Sequence, residues 1–476
     1  MRKTKIICTL GPAVDSEEAL RQLILGGMNA ARFNFSHGTH ESHLALLNKL
    51  KRVRDELGRP VAAVLDTKGP EIRIRSFANG PIVLEKGAAF TLTTEDVPGD
   101  ETKVSVTYAD LHKELKEGSR VLIDDGLVEL IVSHVEGQNI HCTVENGGGL
   151  SNNKSINIPD VSIPLPSLTE KDKQDIKFAV EQDFDFIAAS FVRKASDVAD
   201  IRAELKKYGG EGIRIIAKIE NREGVNNLDE IIAAADGIMV ARGDLGVEIP
   251  AHEVPVLQKE MIQKTNAQGK DVIIATQMLD SMMRNPRPTR AEVSDVANAV
   301  YDGTSCVMLS GETASGKYPF EALKTLVDTV VAAEESINYW GRFQKKRHTS
   351  GDTISDAITH SCCLTAMDLK AKAILAATSS GSTARMIARF KPACTIAALT
   401  MTERVRRQLA LVWGVHPYLY GTCDSTDRLF SLAVECARKE GVVEPDDTVV
   451  ITAGLPIGQS GSTNLIKAQV VGNPFF

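Results

Sequence analysis

Short apolar runs alternate with longer amphipathic segments over most of this chain of 476 residues. Eight runs rich in Val, Ile, Ala and Phe are candidate strands, at residues 6–10, 29–35, 61–66, 184–191, 213–219, 237–241, 271–275 and 306–309. Most are separated by segments of helical periodicity, including residues 16–25, 41–57, 194–208, 228–235 and 254–268. Eight strands alternating with helices predict a closed parallel (β/α)8 TIM barrel.

The alternation changes after the third strand. Residues 70–165 contain shorter segments at 90–94, 120–123, 129–135 and 140–144, with turn signals at Asp125-Gly126 and Glu136-Gly137. This pattern is typical of a small antiparallel module, and we expect an inserted β-barrel lid domain there. The flanking residues 1–69 and 166–343 together match the roughly 250 residues of one barrel and are the predicted catalytic domain.

Residues 344–476 form a second predicted domain, whose α/β pattern begins past a charged stretch at 341–352. Its predicted strands are residues 373–377, 395–399, 417–420 and 448–452, with an edge strand at 464–471. Its predicted helices are residues 354–369, 384–390, 404–412 and 427–439. The alternation predicts a C-terminal doubly wound α/β domain.

Composition narrows the classes of function. The net charge of −7 comes without a long basic run, which argues against a nucleic-acid-binding surface. The eight cysteines form no Cys-x-x-Cys pair, so buried thiols in a reducing, cytoplasmic location are expected instead of disulfides or a zinc site. No apolar run approaches the roughly 18 residues that span a bilayer, and the N-terminus does not resemble a secretory signal.

Polar residues follow nearly every predicted barrel strand. Catalytic groups of TIM barrels lie at these carboxyl ends, so the residues are candidates for one site. They are Arg32, Asn34, Ser36, Asp66, Lys68, Lys218, Glu220, Arg242, Asp244, Thr276, Ser310 and Glu312.

Two neighbouring strand ends carry Lys218-Ile219-Glu220 and Arg242-Gly243-Asp244. Two carboxylates on adjacent strands supply the oxygen ligands that Mg²⁺ or Mn²⁺ prefers. Gly243 lets backbone amides approach an anion. The alternative interpretation is a salt-bridged rim without a ligand.

Other strand ends offer phosphate and carboxylate contacts. Arg73, just beyond Gly69-Pro70, is able to fork onto a phosphate, although it also fits an ordinary surface charge after a hinge. The hydroxyls of Thr276 and Ser310 suit orientation of a carboxylate or transfer of a proton. Helix capping is the alternative use of such residues.

A polar loop in the C-terminal domain follows a predicted strand and precedes a helix, a geometry that holds phosphate or simply caps the helix. The loop consists of Thr378, Ser379, Ser380, Gly381, Ser382 and Thr383. A Gly- and Ser-rich second loop at 454–463 is predicted to close over the same ligand.

Seven segments resemble the signature segments of the pyruvate kinase family: residues 32–38, 65–73, 218–221, 239–250, 275–283, 286–292 and 308–313. The resemblance covers essentially the full chain. It implies a barrel, a mobile lid and an effector domain. It also implies Mg²⁺- and K⁺-dependent phosphoryl transfer from phosphoenolpyruvate to ADP, which yields pyruvate and ATP in the last step of glycolysis.

The resemblance assigns cation and phosphate contacts by matching motif. It implies that Glu220 and Asp244 bind Mg²⁺ or Mn²⁺. Potassium-dependent members of the family carry a glutamate at the position of Glu71, so K⁺ dependence is also implied. The implied K⁺ ligands are Asn34, Ser36, Asp66 and Thr67. The implied phosphoryl and nucleotide contacts are Lys218, Arg73, Arg32 and Lys154.

The remaining implied roles concern the substrate carboxylate and the proton. Thr276 and Gly243 lie beside the substrate, with Arg32, Arg73, Lys218 and Asp244. Ser310 and Glu312 deliver a proton to the enolate. The implied effector is a phosphorylated metabolite at the 378–383 loop, and the implied assembly is a homotetramer without the extra C-terminal domain of some bacterial relatives.

Two alternatives stay open at this point. A metal-dependent aldolase or lyase acting on pyruvate-like acids uses the same barrel-end groups but needs neither the lid nor Lys154. A sugar-phosphate sensor built on the C-terminal sheet leaves the barrel-end charges unexplained. The second loop lacks Lys and Arg over residues 456–463, so a monophosphorylated and a doubly phosphorylated effector are both open.

Overall fold

The computed structural model describes residues 1–345, 353–421, 423, 425–456 and 463–472. Helix α1 begins after Ser16, whose side chain accepts a hydrogen bond from the Ala19 N–H, and ends at Gly27, with φ at 115°. The first elements are β1 (Lys5–Thr9), α1 (Glu17–Gly26), β2 (Ala30–Asn34), α2 (His40–Glu56) and β3 (Ala62–Asp66).

A β-rich insert follows β3. Its elements are β4 (Ile72–Arg73), β5 (Ile82–Leu84), β6 (Ala89–Thr93), β7 (Lys103–Ser105), α3 (Leu111–Glu114), β8 (Arg120–Ile123), β9 (Val128–Glu136), β10 (Asn139–Asn146), β11 (Gly148–Leu150) and β12 (Ser155–Asn157). Seven strands form one sheet in the order β4-β12-β8-β9-β10-β6-β7. Strands β11 and β5 form a separate two-stranded sheet, and an isolated bridge between Ile74 and Val106 links the segments just after β4 and β7, beside an apolar core. The barrel form of the lid stays a prediction.

The chain then returns to the barrel. The strands are β13 (Phe186–Ala189), β14 (Arg214–Ile219), β15 (Gly237–Ala241), β16 (Asp271–Ala275) and β17 (Cys306–Leu309). The helices are α4 (Glu170–Glu181), α5 (Ala195–Lys207), α6 (Arg222–Asn226), α7 (Leu228–Ala234), α8 (Arg242–Glu248), α9 (Val254–Ala267), α10 (Arg290–Asp302), α11 (Gly311–Ala314), α12 (Pro319–Glu335) and α13 (Tyr339–Lys345). Short 3₁₀ turns span Pro12–Val14 and Asp280–Met283.

Eight parallel strands close the barrel in the order β1-β17-β16-β15-β14-β13-β3-β2, which confirms the predicted TIM barrel. Successive side chains alternate between its two faces: Ile7 points into a barrel interior shared with Val64 and Met308, whereas Ile6 and Cys8 pack in the layer under the helices. All eight carboxyl ends lie at one rim, so the polar residues that follow them converge.

The C-terminal elements are α14 (Ile354–Asp368), β18 (Ala373–Ala377), α15 (Ser382–Ala388), β19 (Thr395–Thr400), α16 (Glu403–Leu409), β20 (Val415–Leu419), α17 (Thr426–Lys439), β21 (Thr448–Gly454) and β22 (Thr463–Val470). The sheet order is β20-β19-β18-β21-β22. Strand β22 lies at the edge, as predicted, and is antiparallel to β21. Helices α14 and α15 pack on one face and α17 on the other, which is the doubly wound arrangement.

Most predicted strand bounds differ from the observed ones by one or two residues, and two of these differences are informative. The strand expected at 184–191 spans only Phe186–Ala189, because Phe191 adopts a φ of 56° and turns its N–H toward Glu220. The strand expected at 417–420 begins at Val415, and Pro417 is tolerated because β20 is an edge strand.

Several other predictions concern the chain as a whole. The eight cysteines are thiols and not disulfides, as expected, although Cys394, Cys423 and Cys436 are only partly buried. Within the described residues, no helix is long and apolar enough to cross a membrane. The boundaries at 69/70, 165/166 and 343/344 stay predictions. Residues 346–352 of the charged stretch and 457–462 of the second loop lie outside the described residues.

Candidate active site

A buried ammonium occupies the centre of the barrel rim. Lys218, near the end of β14, places its Nζ 3.1 Å from Oδ1 of Asp66 and 3.0 Å from Oε1 of Glu220. The same Nζ donates a 2.7 Å hydrogen bond to Oγ of Ser190. Three strands thus deliver three oxygens to one lysine, since β3, β13 and β14 are neighbours in the barrel.

Asp66 extends this cluster toward β2. Its Oδ2 accepts a 2.6 Å hydrogen bond from Nε of Arg32, whose Nη1 also donates to Oγ1 of Thr9. Burial opposes ionisation of Asp66, but the charges of Arg32 and Lys218 outweigh it and hold the pKa of Asp66 below its usual range. Asp66 is therefore a buried carboxylate anion paired with two cations.

Glu220 and Asp244 are two further carboxylates of the rim, at the ends of β14 and β15. Glu220 is 1% exposed, and its Oε2 accepts a 2.6 Å hydrogen bond from the Phe191 N–H. Burial raises the pKa of Glu220 to about 7; Lys218 opposes this shift, and the nearby charge of Asp244 adds to it. Burial lowers the pKa of Lys218, but Asp66 and Glu220 reverse the shift and raise it above its ordinary value. The excess negative charge favours a bound cation.

The residues of the expected K⁺ site lie on β2 and β3 and just beyond them. Asn34 and Asp66 are register partners, and Oδ1 of Asn34 accepts a 3.2 Å hydrogen bond from the Ser36 N–H. Thr67 is buried, and its Oγ1 accepts a hydrogen bond from the Ser190 N–H. Residues with carboxylate, amide and hydroxyl oxygens therefore lie at the β2–β3 side of the rim.

Gly243 and Thr276 form a polar step beside Asp244. The Gly243 N–H donates a 2.7 Å hydrogen bond to Oγ1 of Thr276, whose backbone lies in the left-handed region at a φ of 68°. Gln277 is also left-handed, at 54°. Arg242 holds the turn through the carbonyl of Thr276 at 2.8 Å and through Asp295 at 2.6 Å. A backbone strained at the end of β16 fits a positioned functional group.

Ser310 and Glu312 follow β17. Glu312 is 2% exposed and accepts hydrogen bonds from the backbone N–H groups of Ser310, at 2.8 Å, and Leu279, at 3.0 Å. The buried Oγ of Ser310 makes no hydrogen bond with any described atom. Because Ser310 does not cap α11, the capping alternative fails for it, and the hydroxyl remains available for a ligand.

The insert contributes the other expected contacts. Arg73 pairs with Glu71 at 2.8 Å, and Lys154 pairs with Asp124 at 2.9 Å. A cavity of about 490 Å³ lies between insert and barrel, and its lining includes Glu71, Asn221 and Asp244. Asn157 of β12 donates a 3.0 Å hydrogen bond to Glu248 of α8, so the insert contacts the helix that carries Asp244.

The polar loop of the C-terminal domain connects β18 to α15. Gly381 adopts a φ of 84°, and its N–H donates to Oγ1 of Thr378. Ser380 offers its carbonyl to Arg385 at 3.3 Å and to Arg214 of the barrel at 3.5 Å. Ser379, Ser382 and Thr383 complete the strand–loop–helix segment that the sequence predicted.

Ser190 and Phe191 are site residues that the sequence reasoning missed. Ser190 Oγ accepts from Lys218 and donates to the carbonyl of Thr67 at 2.6 Å, and Phe191 anchors Glu220. Both follow β13, so their position after a strand was a usable signal. The signal was missed because Phe191 is apolar and Ser190 is small and uncharged, and both continue a run of apolar residues.

Taken together, the rim carries buried ammonium and carboxylate groups at the carboxyl ends of a TIM barrel, which defines an enzyme for anionic substrates. A family model described as pyruvate kinase, barrel domain, matches residues 1–323, and one described as pyruvate kinase, alpha/beta domain, matches residues 356–469.

Three pyruvate kinases align with 99% of this chain. The protein from Clostridium acetobutylicum is 51% identical and matched over 100% of its length. Those from Geobacillus stearothermophilus and Sporosarcina psychrophila are 51% and 50% identical and matched over 80% and 81% of their lengths. The chain belongs to the pyruvate kinase family and is a phosphotransferase.

Proposed function

We propose that this enzyme transfers the phosphoryl group of phosphoenolpyruvate to ADP, with Mg²⁺ or Mn²⁺ and K⁺ as cofactors, in cytoplasmic glycolysis. The observation that carries the proposal is the convergence of Lys218, Glu220 and Asp66 within 3.1 Å, with Asp244 close enough to influence the pKa of Glu220. Phosphoryl transfer depends on alignment and charge neutralisation more than on covalent catalysis.

The residues present fit a divalent cation. Glu220 and Asp244 offer hard oxygen ligands, and their mutual repulsion is relieved by a positive charge between them. When bound, the ion supplies electrostatic stabilisation of the charge on the phosphoryl oxygens. We assign Asn34, Ser36, Asp66 and Thr67 to K⁺ on the family resemblance; in support, all four lie on or just after the neighbouring strands β2 and β3 and carry oxygens of the kind that hard cations prefer.

In this assignment Lys218 and Arg73 bind the transferring phosphoryl group, and Arg32 and Lys154 bind the nucleotide phosphates. In support, three oxygens fix the position of the Lys218 ammonium at the rim. Arg73 and Lys154 lie on the insert, each paired with a carboxylate. Closure of residues 70–165 over the cavity would bring these cations to the barrel and exclude water.

Proton delivery to the enolate is assigned to the Ser310–Glu312 pair. In support, the Oγ of Ser310 has no hydrogen-bond partner among the described atoms, and Glu312 is held by the backbone N–H groups of Ser310 and Leu279. Thr276 and the Gly243 N–H orient the substrate carboxylate. We further propose a phosphorylated effector at Thr378–Thr383 and a homotetrameric assembly; both rest on the family resemblance.

The test is pyruvate formation from phosphoenolpyruvate and ADP, with Mg²⁺ and K⁺ each omitted in turn. Lys218→Met is expected to lower turnover by about 10² to 10⁴, the range for a lost electrostatic or general-acid group. Lys264→Met, which removes a surface lysine of α9, is the matched control and should leave turnover unchanged. Near-normal turnover of the Lys218 variant would contradict the assignment, and cation-independent turnover would contradict the cofactors.

A further inference from the structure

A cluster of metal-binding side chains lies in the insert, away from the rim. His134 and Glu136 are on β9 and His141 is on β10, and their ligand atoms all lie within 4.8 Å of one another. None of the three belongs to the lining of the cavity between insert and barrel. Among the described residues, this is the one group of three His, Cys, Asp or Glu side chains close enough to hold an ion.

The hairpin puts the three side chains on one face. His134 pairs with His141 across the two strands, and Glu136 pairs with Asn139 next to the turn. Residues two apart on a strand point the same way, so Glu136 lies beside His134 and diagonally opposite His141. The turn itself is tied to β6, since the carbonyl of Gln138 accepts hydrogen bonds from the Thr94 N–H and the Thr93 hydroxyl.

The chemistry of the cluster suits a transition metal. Two imidazoles and one carboxylate form a set of three protein ligands that binds Zn²⁺ and leaves a fourth position for water. Nδ1 of His141 lies 3.3 Å from the Thr91 hydroxyl, and its Nε2 lies 4.0 Å from Oε2 of Glu136. One ring nitrogen is therefore oriented by a neighbour while the other faces the carboxylate, which is the usual arrangement of a metal-binding histidine.

Modest side-chain rotation completes the geometry. A nitrogen and an oxygen bound to one Zn²⁺ lie about 3.4 Å apart in a tetrahedral site, so the 4.0 Å separation needs only a small closure. The two imidazole rings are stacked at 4.4 Å with an interplanar angle of 11°, and one ring must turn to direct its lone pair at a shared ion. His134 is exposed, so its ring turns at little cost.

We propose that His134, Glu136 and His141 form a second, noncatalytic site for a late first-row divalent ion such as Zn²⁺, Ni²⁺ or Cu²⁺. Imidazole ligands favour these ions over Mg²⁺, which prefers oxygen. The site is distinct in chemistry and in place from the Glu220–Asp244 pair, and it does not depend on the proposed function.

The experiment is calorimetric titration of the full chain with Zn²⁺, with Mg²⁺ in large excess to occupy the barrel site. One Zn²⁺ per chain is expected at the hairpin. His134→Ala and His141→Ala should each weaken this binding at least about 10-fold. Loss of a residue that only supports a metal ligand already costs about 10-fold in affinity, and loss of a ligand itself should cost no less. Glu136→Gln should weaken it in the same direction.

His112→Ala is the matched control, because His112 lies in the same insert but hydrogen-bonds Thr94 instead of joining the cluster. Its Zn²⁺ affinity should equal that of the unchanged chain.

Visible absorption of the Co²⁺-loaded chain gives a second readout, since ligand-field bands of a tetrahedral site should disappear with His141→Ala. Mg²⁺-supported turnover of all three cluster variants should be unchanged, which shows that they fold. Absence of saturable Zn²⁺ binding, or binding that both histidine variants retain, would overturn the proposal.

Discussion

Two buried lysines show how neighbours decide the charge of a residue. Burial lowers the pKa of Lys5 to about 7, and the nearby charge of Arg2 adds to the shift; its Nζ donates a 2.6 Å hydrogen bond to the neutral carbonyl of Val415. Lys218 is equally enclosed, yet Asp66 and Glu220 keep its pKa above the ordinary value. A lysine is therefore only partly protonated near neutral pH at the amino end of the barrel, whereas a lysine at the rim stays protonated.

A partly buried histidine, His416, makes the stability of the fold depend on pH. Burial lowers the pKa of His416 to about 2, and the charge of Lys5 adds to the shift. Because the folded pKa lies below the unfolded value of 6.5, the unfolded chain takes up a proton that the folded chain rejects. The free energy of unfolding therefore decreases as the pH falls below the unfolded pKa of 6.5. The loss is at most about 2 kcal/mol at about pH 5.

His416→Gln should remove this part of the acid sensitivity. The measurement is the urea midpoint of unfolding at about pH 8 and about pH 5, where the variant should lose less stability than the unchanged chain. His252→Gln, at an exposed position, should keep the original pH dependence. Identical pH dependence of the His416 variant would contradict the prediction.

At the scale of elements, helix α10 shows how a cap also supports the site. The Thr289 hydroxyl accepts from the Glu292 N–H at 3.2 Å, and Glu292 returns a 2.7 Å bond to the Thr289 N–H, which is a capping box. Glu292 also accepts from the N–H and hydroxyl of Ser281, at 2.7 and 2.6 Å. The cap therefore also reaches the turn that follows Thr276.

Thr289→Ala should cost about 1 kcal/mol of stability, the usual loss for an N-cap. It should also raise the KM for phosphoenolpyruvate, because Glu292 loses the 2.9 Å hydrogen bond from the Thr289 hydroxyl, and this loosens the turn over Asp280–Met283 beside the substrate residues. Ser16→Ala removes a cap with no link to the site and should cost similar stability at an unchanged KM. Equal KM values for the two variants would show that the cap is purely structural.

Elements were the most predictable level of this molecule. The barrel strands were located from apolar runs alone, and Gly237–Ala241, Asp271–Ala275 and Cys306–Leu309 have the predicted bounds. The miss at β13 had a physical cause, since Phe191 leaves the strand in order to bind Glu220. A residue whose backbone serves a distant carboxylate carries no local signal of its own.

At the scale of the whole molecule, the C-terminal domain covers the amino end of the barrel, opposite the rim. Arg407 of α16 bonds Asp185, just before β13, at 2.8 Å and Asp183 at 2.8 Å. Gln408 donates to the carbonyls of Asp185 and Gly212, and Leu411 packs with the barrel interior. The two domains therefore share a buried polar and apolar contact.

Arg407→Met should destabilise the enzyme by about 3 to 5 kcal/mol, because Asp185 is fully buried and would lose its countercharge. Thermal unfolding is the measurement. Arg428→Met breaks a pair that is about half exposed on both sides and should cost less than about 1 kcal/mol. Similar losses for the two variants would mean that the domain contact contributes little.

By itself, the sequence determined the alternation of strands and helices, the position of the insert and the strand ends that carry polar groups, because periodicity and turn residues are local properties. Tertiary structure alone decided that Ser190 joins Lys218, that Phe191 anchors Glu220 and that Lys5 and Lys218 titrate differently. These outcomes depend on which distant groups share a low-dielectric space, and only barrel closure brings those groups together.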